Sequence, residues 1–537
     1  MKTREIGIPA AAFAVALLAV AVVLRWLWSG AFLAEFQSDV ADTLFWAEAQ
    51  RDAGALANPT FHYGYFIPFG GNLLVRPFLP LLETGLAALR SGMTLFVALF
   101  ALAGYGMFRS FRWGRAASLL GAVLLLAVAS ASPKMREIHF GHVIYYSLGT
   151  VFLFLGCAWA PDVEDGEGSA CSRRHRAFRQ AAFACCMGWA VACGKPLLLY
   201  AVAPVFGAWV LLRMGGRARL SPLRDGLRLL PGIVGVALGL ALFGAVSRGV
   251  HVTQESASYY EAFSPLRTWF QTAQILPQEW ISLVDPLPHR RIAIASAEGL
   301  PHAWRIAAAL FAGLAPVAAL ARIRRFGPRE RLLVAAHGIL AAEVLFYWVF
   351  GNISSANWRL CPVVMSGAAV SACLVRNAAV RGTVPAKRFG MCAALFLAGF
   401  CALSLFQTAV LPARPEIWGG EGTLIPTLEA IGVRDGYCSD YWYANATTAV
   451  SGGRFRIREV RADAKGKWKP RLHNADERWC APDPERTKTV FVCHPNEEDR
   501  APAEGRIGRH LCSQQTERLG RSEPLVVLVY DGDALRL

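Results

Sequence analysis

Two carboxylates open the chemistry that this chain could perform. Asp39 and Asp42 stand three apart in the stretch FLAEFQSDVADTLFWAEA. On a helix that spacing puts both on one face. A carboxylate so placed can take the proton of an acceptor hydroxyl while that oxygen attacks a sugar carbon whose leaving group is a lipid phosphate. The plainer use of the same residues is structural, with Asp39 capping the helix and Asp42 favoured in the first turn by the helix dipole. The two uses are compatible.

A leaving phosphate needs cations. Lys195 in Ala-Cys-Gly-Lys-Pro sits at a helix end, where Pro196 starts the next helix and the ammonium can pair with a phosphate oxygen or snorkel to lipid headgroups. Residues 132–142, SPKMREIHFGH, gather Lys134, Arg136, His139 and His142. That cluster suits a phosphate or pyrophosphate head, and guanidinium geometry fits one well. Contact with anionic lipid or with Glu137 is the alternative. Aromatic and hydrogen-bonding groups collect in two places: His62, Tyr63, Tyr65 and Phe66, and then Glu255, Tyr259, Tyr260, Arg267, Trp269, Trp280, His289, Arg290 and Arg291. Of these, Tyr63, Tyr65, Glu255, Tyr260 and Arg267 are candidates for holding a sugar or acceptor, although Trp and Tyr also form the ordinary belt of a membrane interface.

The elements that must position these groups are membrane helices. The chain is 54% hydrophobic and 18% charged, with a mean hydropathy of +0.35, too apolar for a water-soluble protein of this size. Apolar runs long enough to span lie near 7–28, 93–109, 116–132, 143–160, 177–193, 196–212, 229–247, 304–321, 332–350, 360–375 and 389–411, about eleven in all. The first is read as a retained anchor, not a cleaved signal. The net charge of +16 does not point to nucleic acid, because the arginines fall in short clusters between apolar runs. Those clusters (109–115, 173–179, 213–228, 322–331 and 376–388) fall in alternate connections, as expected of cytoplasmic loops with the N-terminus inside. The acidic pair, the 132–142 cluster, Lys195 and the polar tail then lie outside.

Long loops carry function, and the first and fourth outer loops, 29–92 and 248–303, are the longest. In the first, residues 39–52 read as an amphipathic helix with Val40, Leu44, Phe45 and Ala47 on one side and Asp42, Glu48 and Gln50 on another. Asn58-Pro59 ends it, and 76–90 reads as an interfacial helix. From 412 to 537 the chain turns polar, with a helix near 423–431 and strands near 455–460, 489–493 and 525–530, so a small soluble α/β domain follows the 1–411 membrane domain. Four of the thirteen cysteines, Cys438, Cys480, Cys493 and Cys512, lie in this tail, and their even number suits disulfides in an oxidising compartment. The others lie in or beside apolar runs as packing residues. Asp440-Tyr-Trp-Tyr is either a sugar cradle or small-domain core. Gly-rich phosphate loop, His-Glu-x-x-His and Cys-x-x-Cys patterns are absent, which removes the usual support for ATP-driven transport and zinc hydrolysis.

The layout over residues 1–215 resembles the GT-C superfamily of integral membrane glycosyltransferases. The matching pieces are a first span and a long outer loop opening on Ser38-Asp39-Val40-Ala41-Asp42. An Ala-rich helix, Gly54, a Pro turn, the short basic 132–142 loop and the Gly194-Lys195-Pro196 turn follow. The resemblance implies an all-α polytopic GT-C-like bundle with a small extracytoplasmic α/β domain, in the plasma (bacterial inner) membrane. It implies transfer from a polyprenyl-phosphate sugar to a glycan, lipid or protein acceptor. Asp39 would be the base and Asp42 a second candidate, with Lys195 and Arg136, His139 or Lys134 on the donor phosphate. No cofactor is expected beyond the lipid-phosphate co-substrate. The first loop has no Asp-x-Asp or Asp-Glu pair, so no metal is assigned, and a divalent ion stays open. The rival readings are a transporter or lipid-linked glycan flippase, and a non-catalytic envelope-assembly protein.

Overall fold

The computed structural model describes residues 4–163, 173–215, 221–253, 262–285, 292–412, 424–463, 467–480, 487–494, 496–497, 506–511 and 525–532. Every one of the eleven apolar runs contains a helix. Seven of these helices are long and apolar enough to cross a membrane: Pro9–Trp28, Gly85–Ser110, Pro222–Val246, Gly299–Ala321, Pro328–Phe350, Asn357–Arg381 and Val384–Val410. An eighth is reached if Arg115–Ala129 and Pro133–Gly141, bent by 114° at their break, form one span. Length and composition therefore do not reach eleven. Tyr145–Trp159 has 15 residues, about 22 Å of helix against about 30 Å of hydrocarbon.

The helices run back and forth between two ends of the bundle. Gly85–Ser110 starts beside Glu48. Arg115–Ala129 returns to Ser130, whose carbonyl accepts from Arg136. Tyr145–Trp159 leads away again to Ala160 and Asp162, bonded by Arg179 and Arg329. Arg173–Cys193 comes back to the first loop, where Cys193 Sγ meets the Phe69 carbonyl. One end thus holds the first loop and the 132–142 turn, and the other holds arginine-rich connections. Leu227, Leu230, Ile233, Leu238 and Leu242 of Pro222–Val246 are exposed, an aggregation hazard in water and an ordinary lipid-facing surface in a bilayer.

That same helix crosses Arg173–Cys193 at close range. A Cβ on Gly235 would stand 2.1 Å from the Ala184 carbonyl oxygen, and one on Gly239 2.1 Å from that of Gly188. Two glycines four apart form one stripe on the helix, and their missing side chains let the backbones touch, a packing mode suited to lipid surroundings.

The tail folds as an α/β unit. Its six-stranded sheet has the order β5-β4-β3-β7-β9-β8, with β3 Asp435–Cys438, β4 Arg456–Ala462, β5 Trp468–Pro470, β7 Lys488–Cys493, β8 Arg506–Leu511 and β9 Val526–Asp531. β3 runs parallel to β4 and β7, and the other pairs are antiparallel. Alternation sorts the side chains: Cys438, Val490, Val492, Val527 and Val529 pack against helices Leu424–Ile431 and Tyr441–Val450, whereas Tyr437, Phe491, Cys493, Leu528 and Tyr530 fill the other face. The expected disulfides meet this geometry. Cys438 pairs in register with Val492, so the adjacent Cys493 points to the opposite face, and both thiols are free. Cys512 lies outside the described residues.

Two expectations for the first loop change. Residues 76–90 form no single interfacial helix: Arg76–Phe78 is one 3-10 turn, and the long helix already begins at Gly85, after Thr84 caps it. The loop is also no free excursion. Its strand β1, Phe61–Tyr63, pairs in parallel with β2, His251–Val252, and antiparallel with β6, Ala475–Asp476. First loop, fourth loop and tail are therefore joined in one three-stranded sheet.

Candidate active site

Helix Ser38–Asp52 carries the two aspartates. Gln37 is its N-cap and makes no side-chain capping bond, while Asp39 lies in the first turn. Asp39 is thus not the cap, but its charge stands at the positive end of the helix. Ser38 Oγ donates to the carbonyls of Tyr441 and Trp442, at 2.9 and 2.6 Å. Helix Tyr441–Val450 of the tail packs across here. That cover buries Asp42 and Gln50 along with Val40, Leu44 and Trp46, where sequence periodicity left a polar side open. Gln50 Nε2 compensates by donating to the Leu56 and Pro68 carbonyls, both at 2.9 Å.

Asp42 is almost wholly enclosed. Its Oδ1 accepts from the Tyr441 hydroxyl at 2.9 Å, and its Oδ2 has no hydrogen-bond partner among the described residues. Burial, reinforced by the charge of Asp39, pushes its carboxyl well above the usual range against the pull of Tyr441, Asn474 and Tyr65. Asp39 is partly buried; desolvation pushes it up to about 6, with Lys134 pulling the other way. The pair divides its labour by environment: both carboxyls are raised by burial, and Asp42, enclosed beside the charge of Asp39, is held well above the ordinary carboxylate range. The Tyr441 phenol, pushed up by burial and by both aspartates, stays a donor.

Around this pair the chain's distant parts converge. Tyr65 hydroxyl and His142 Nε2 are hydrogen-bonded at 2.5 Å, and burial first, then Lys134, pushes His142 down to about 3, so its ring is neutral. Tyr65 packs edge-on to Trp46 and Tyr145. Asn474 Oδ1 accepts from Trp46 Nε1 at 3.0 Å and from Gly64 N at 2.8 Å. Its φ of +53° is a left-handed conformation that asparagine tolerates better than most residues. Thr60 Oγ1 to Asp476 Oδ2 (3.0 Å) and His62 Nε2 to Glu477 Oε1 (2.6 Å) fasten the same seam.

The remaining candidates divide. Lys134 lies near Asp39 and ion-pairs with Glu137 at 2.6 Å over the Trp358 ring. Arg136 is committed elsewhere, holding Glu35 with two nitrogens and the Ser130 carbonyl with a third. His139 is buried; its Nδ1 bonds the Met135 carbonyl at 3.0 Å, and its Nε2 has no partner among the described residues. It belongs to a π-helical turn, Glu137–Gly141, a feature common at functional sites. Lys195 is exposed with no ion pair among the described residues, on a turn where Gly194 abuts the Phe66 carbonyl, one residue from Tyr65. The Tyr63 hydroxyl accepts from Asn58 N at 3.0 Å, and its ring packs on Phe61 and Phe66, so it braces the loop. Arg267 is exposed on helix Leu266–Val284, and nothing places it by the aspartates. Glu255 and Tyr260 lie outside the described residues.

Sequence reasoning missed Asn474, Glu35 and the role of Tyr441. In the Asp440-Tyr-Trp-Tyr stretch Tyr443 is small-domain core, and Tyr441 reaches Asp42. Among the described residues no group of three or more His, Cys, Asp or Glu is arranged to hold a metal ion.

A membrane bundle whose long first loop carries an acidic pair, closed over by a small α/β tail, is a fold that solved membrane proteins share. Among solved structures the chain is similar to ArnT from Cupriavidus metallidurans. With undecaprenyl phosphate bound, that structure matches over 97% of each chain at TM-score 0.54 and 16% identity. In the apo state it matches over 97% of this chain and 98% of that one, at 0.52 and 15%. The apo oligosaccharyltransferase of Archaeoglobus fulgidus is also similar, with 12% identity and TM-score 0.48 over 83% of this chain, which spans 64% of that protein. At these identities the likeness is one of fold. No protein family and no curated protein matches the chain.

Proposed function

We propose that the chain is an inverting membrane glycosyltransferase that moves a hexosyl or pentosyl group from a polyprenyl-phosphate donor to a cell-envelope glycan, lipid or protein. The observation that carries this reading is the buried pair Asp39 and Asp42, three apart on one helix with Asp42 bonded to Tyr441, at the junction of first loop, 132–142 turn and tail. The undecaprenyl phosphate in the similar ArnT structure supports the donor class.

In the reaction, the acceptor hydroxyl oxygen attacks the anomeric carbon as its proton passes to the Asp39 carboxylate. The bond from that carbon to the phosphate oxygen breaks, and the electron pair leaves with the lipid phosphate. Lys195, without an ion pair among the described residues and next to Gly194, which abuts the Phe66 carbonyl, meets the departing charge, with Lys134 on the Asp39 side. Asp42, held by Tyr441, orients the pair, and in its protonated form it donates to a sugar oxygen through Oδ2, which has no partner among the described residues. Arg136 positions the turn through Glu35. The site lies on the extracytoplasmic side, with the N-terminus in the cytoplasm. Transport is less favoured, because most charged groups gather at the ends of the bundle, with Glu343 and His337 as exceptions inside helix Pro328–Phe350.

The test is incubation of purified protein with a panel of polyprenyl-phosphate sugars, following donor consumption. Asp39→Asn should abolish consumption while keeping the wild-type melting temperature. Full activity in that variant would remove Asp39 from the mechanism.

A further inference from the structure

The end of the bundle away from the aspartates contains a cavity of about 620 Å³, within the range of small-ligand sites. Helix Gly85–Ser110 joins the two ends: its 26 residues put them about 39 Å apart. Eight arginines line the cavity against two carboxylates. Both carboxylates are already satisfied. Asp162 binds Arg179 and Arg329 at 3.1 and 2.8 Å, and Glu330 binds the Trp113 indole at 2.8 Å and Arg376 at 3.4 Å. Arg112, Arg324, Arg325 and Arg381 are exposed and have no hydrogen bond or ion pair from their side chains among the described residues.

A second observation is independent of charge. Arg112 has φ +61°, the left-handed position that follows a helix end and that glycine normally takes. Its N–H bonds the Arg109 carbonyl at 3.0 Å, the Trp113 N–H reaches the Phe108 carbonyl at 3.4 Å, and Trp113 stacks on Phe108 at 4.5 Å. The motif is complete except that arginine stands where glycine would relieve the strain. Membrane orientation calls for basic residues at this end, but it calls for neither a cavity nor an arginine in a strained backbone position. Backbone strain of this kind is a reason to look for a ligand.

We infer that this cavity is a second anion site, taking a phosphate-bearing group through guanidinium forks: either the headgroup of an anionic lipid or a soluble phosphate compound. Binding is measured on the full chain in detergent, in a Lys195→Gln background that removes the candidate phosphate contact at the other end. The probes are sodium pyrophosphate and, by native mass spectrometry, phosphatidylglycerol against phosphatidylcholine. At least one anionic probe should bind in preference to the neutral lipid, and the one that does identifies the source. Arg112→Gly should weaken that binding about tenfold, the loss of one charge-assisted contact, with an equal or higher melting temperature. A residue serving only the turn would leave binding unchanged while the melting temperature held or rose. Arg324→Gln with Arg325→Gln gives the second measurement. No preference for either anionic probe, or affinity unchanged in both variants, overturns the proposal. So does binding that emerges only after Glu164, Asp165 and Glu167 are neutralised, because the occupant would then be the chain's own acidic run next to Asp162.

Discussion

At the scale of single residues, the two aspartates differ because their surroundings differ. Asp39 must be ionised to act as base, so transfer should rise with pH through about 6 and level off above it. Lys134 pulls that value down, and its ammonium also offsets Glu137. Lys134→Gln should therefore move the acid limb of a kcat/KM profile to higher pH; a limb that stays or moves lower would separate the limb from Asp39. Asp39→Asn should cost about 10²–10⁴-fold in rate, the range for a lost general base. Asp42→Asn keeps an acceptor for Tyr441 and leaves the Asp39 base in place, so it should cost less. If Asp42→Asn is the more damaging change, the roles are exchanged. The acid pair was legible in the sequence because both members sit one turn apart. Tyr441 and Asn474 were not, since about 400 residues separate them from Asp42 and their short polar surroundings show no periodicity.

At the scale of elements, hydropathy revealed where helices lie but not how they touch. The stripe of Gly235 and Gly239 occurs in an apolar run where any small residue looks alike, and only its contact with Ala184 and Gly188 makes it necessary. Gly239→Val places methyl groups where a carbonyl oxygen already stands, and should destabilise the chain by about 1–3 kcal/mol through overpacking, read as a lower melting temperature in detergent. Unchanged melting would mean that the two helices separate at little cost. Strands β1, β2 and β6 escaped the sequence reading for a related reason. Runs of two or three residues carry no pattern, and each finds its partner only after the loops and tail have met.

For the whole molecule, one contact constrains the topology more tightly than hydropathy does. Tyr441 and Asp42 touch at 2.9 Å, so both lie on one side of the membrane and the chain between them must cross it an even number of times. Seven spans place six crossings between them, and eleven place ten. Eight would place seven, which the contact forbids unless another of the short helices also crosses. The alternation of helix ends favours the longer count, because Tyr145–Trp159, Arg173–Cys193 and Leu198–Met214 each travel between the aspartate end and the arginine end. A bent, short helix can still traverse a bilayer that thins around it. Reporter fusions after residues 168, 218, 326 and 382 should then all report the side opposite to a fusion after residue 412. Residue 140 decides between the counts: eleven spans put a fusion there on the side opposite to 168 and 218, whereas with only seven the chain from Ser110 to Ser221 would stay on one side and all three fusions would agree. Finding all three on one side would reduce the bundle to seven crossings and leave Lys195 across the membrane from Asp39, which would end its assignment to the leaving phosphate.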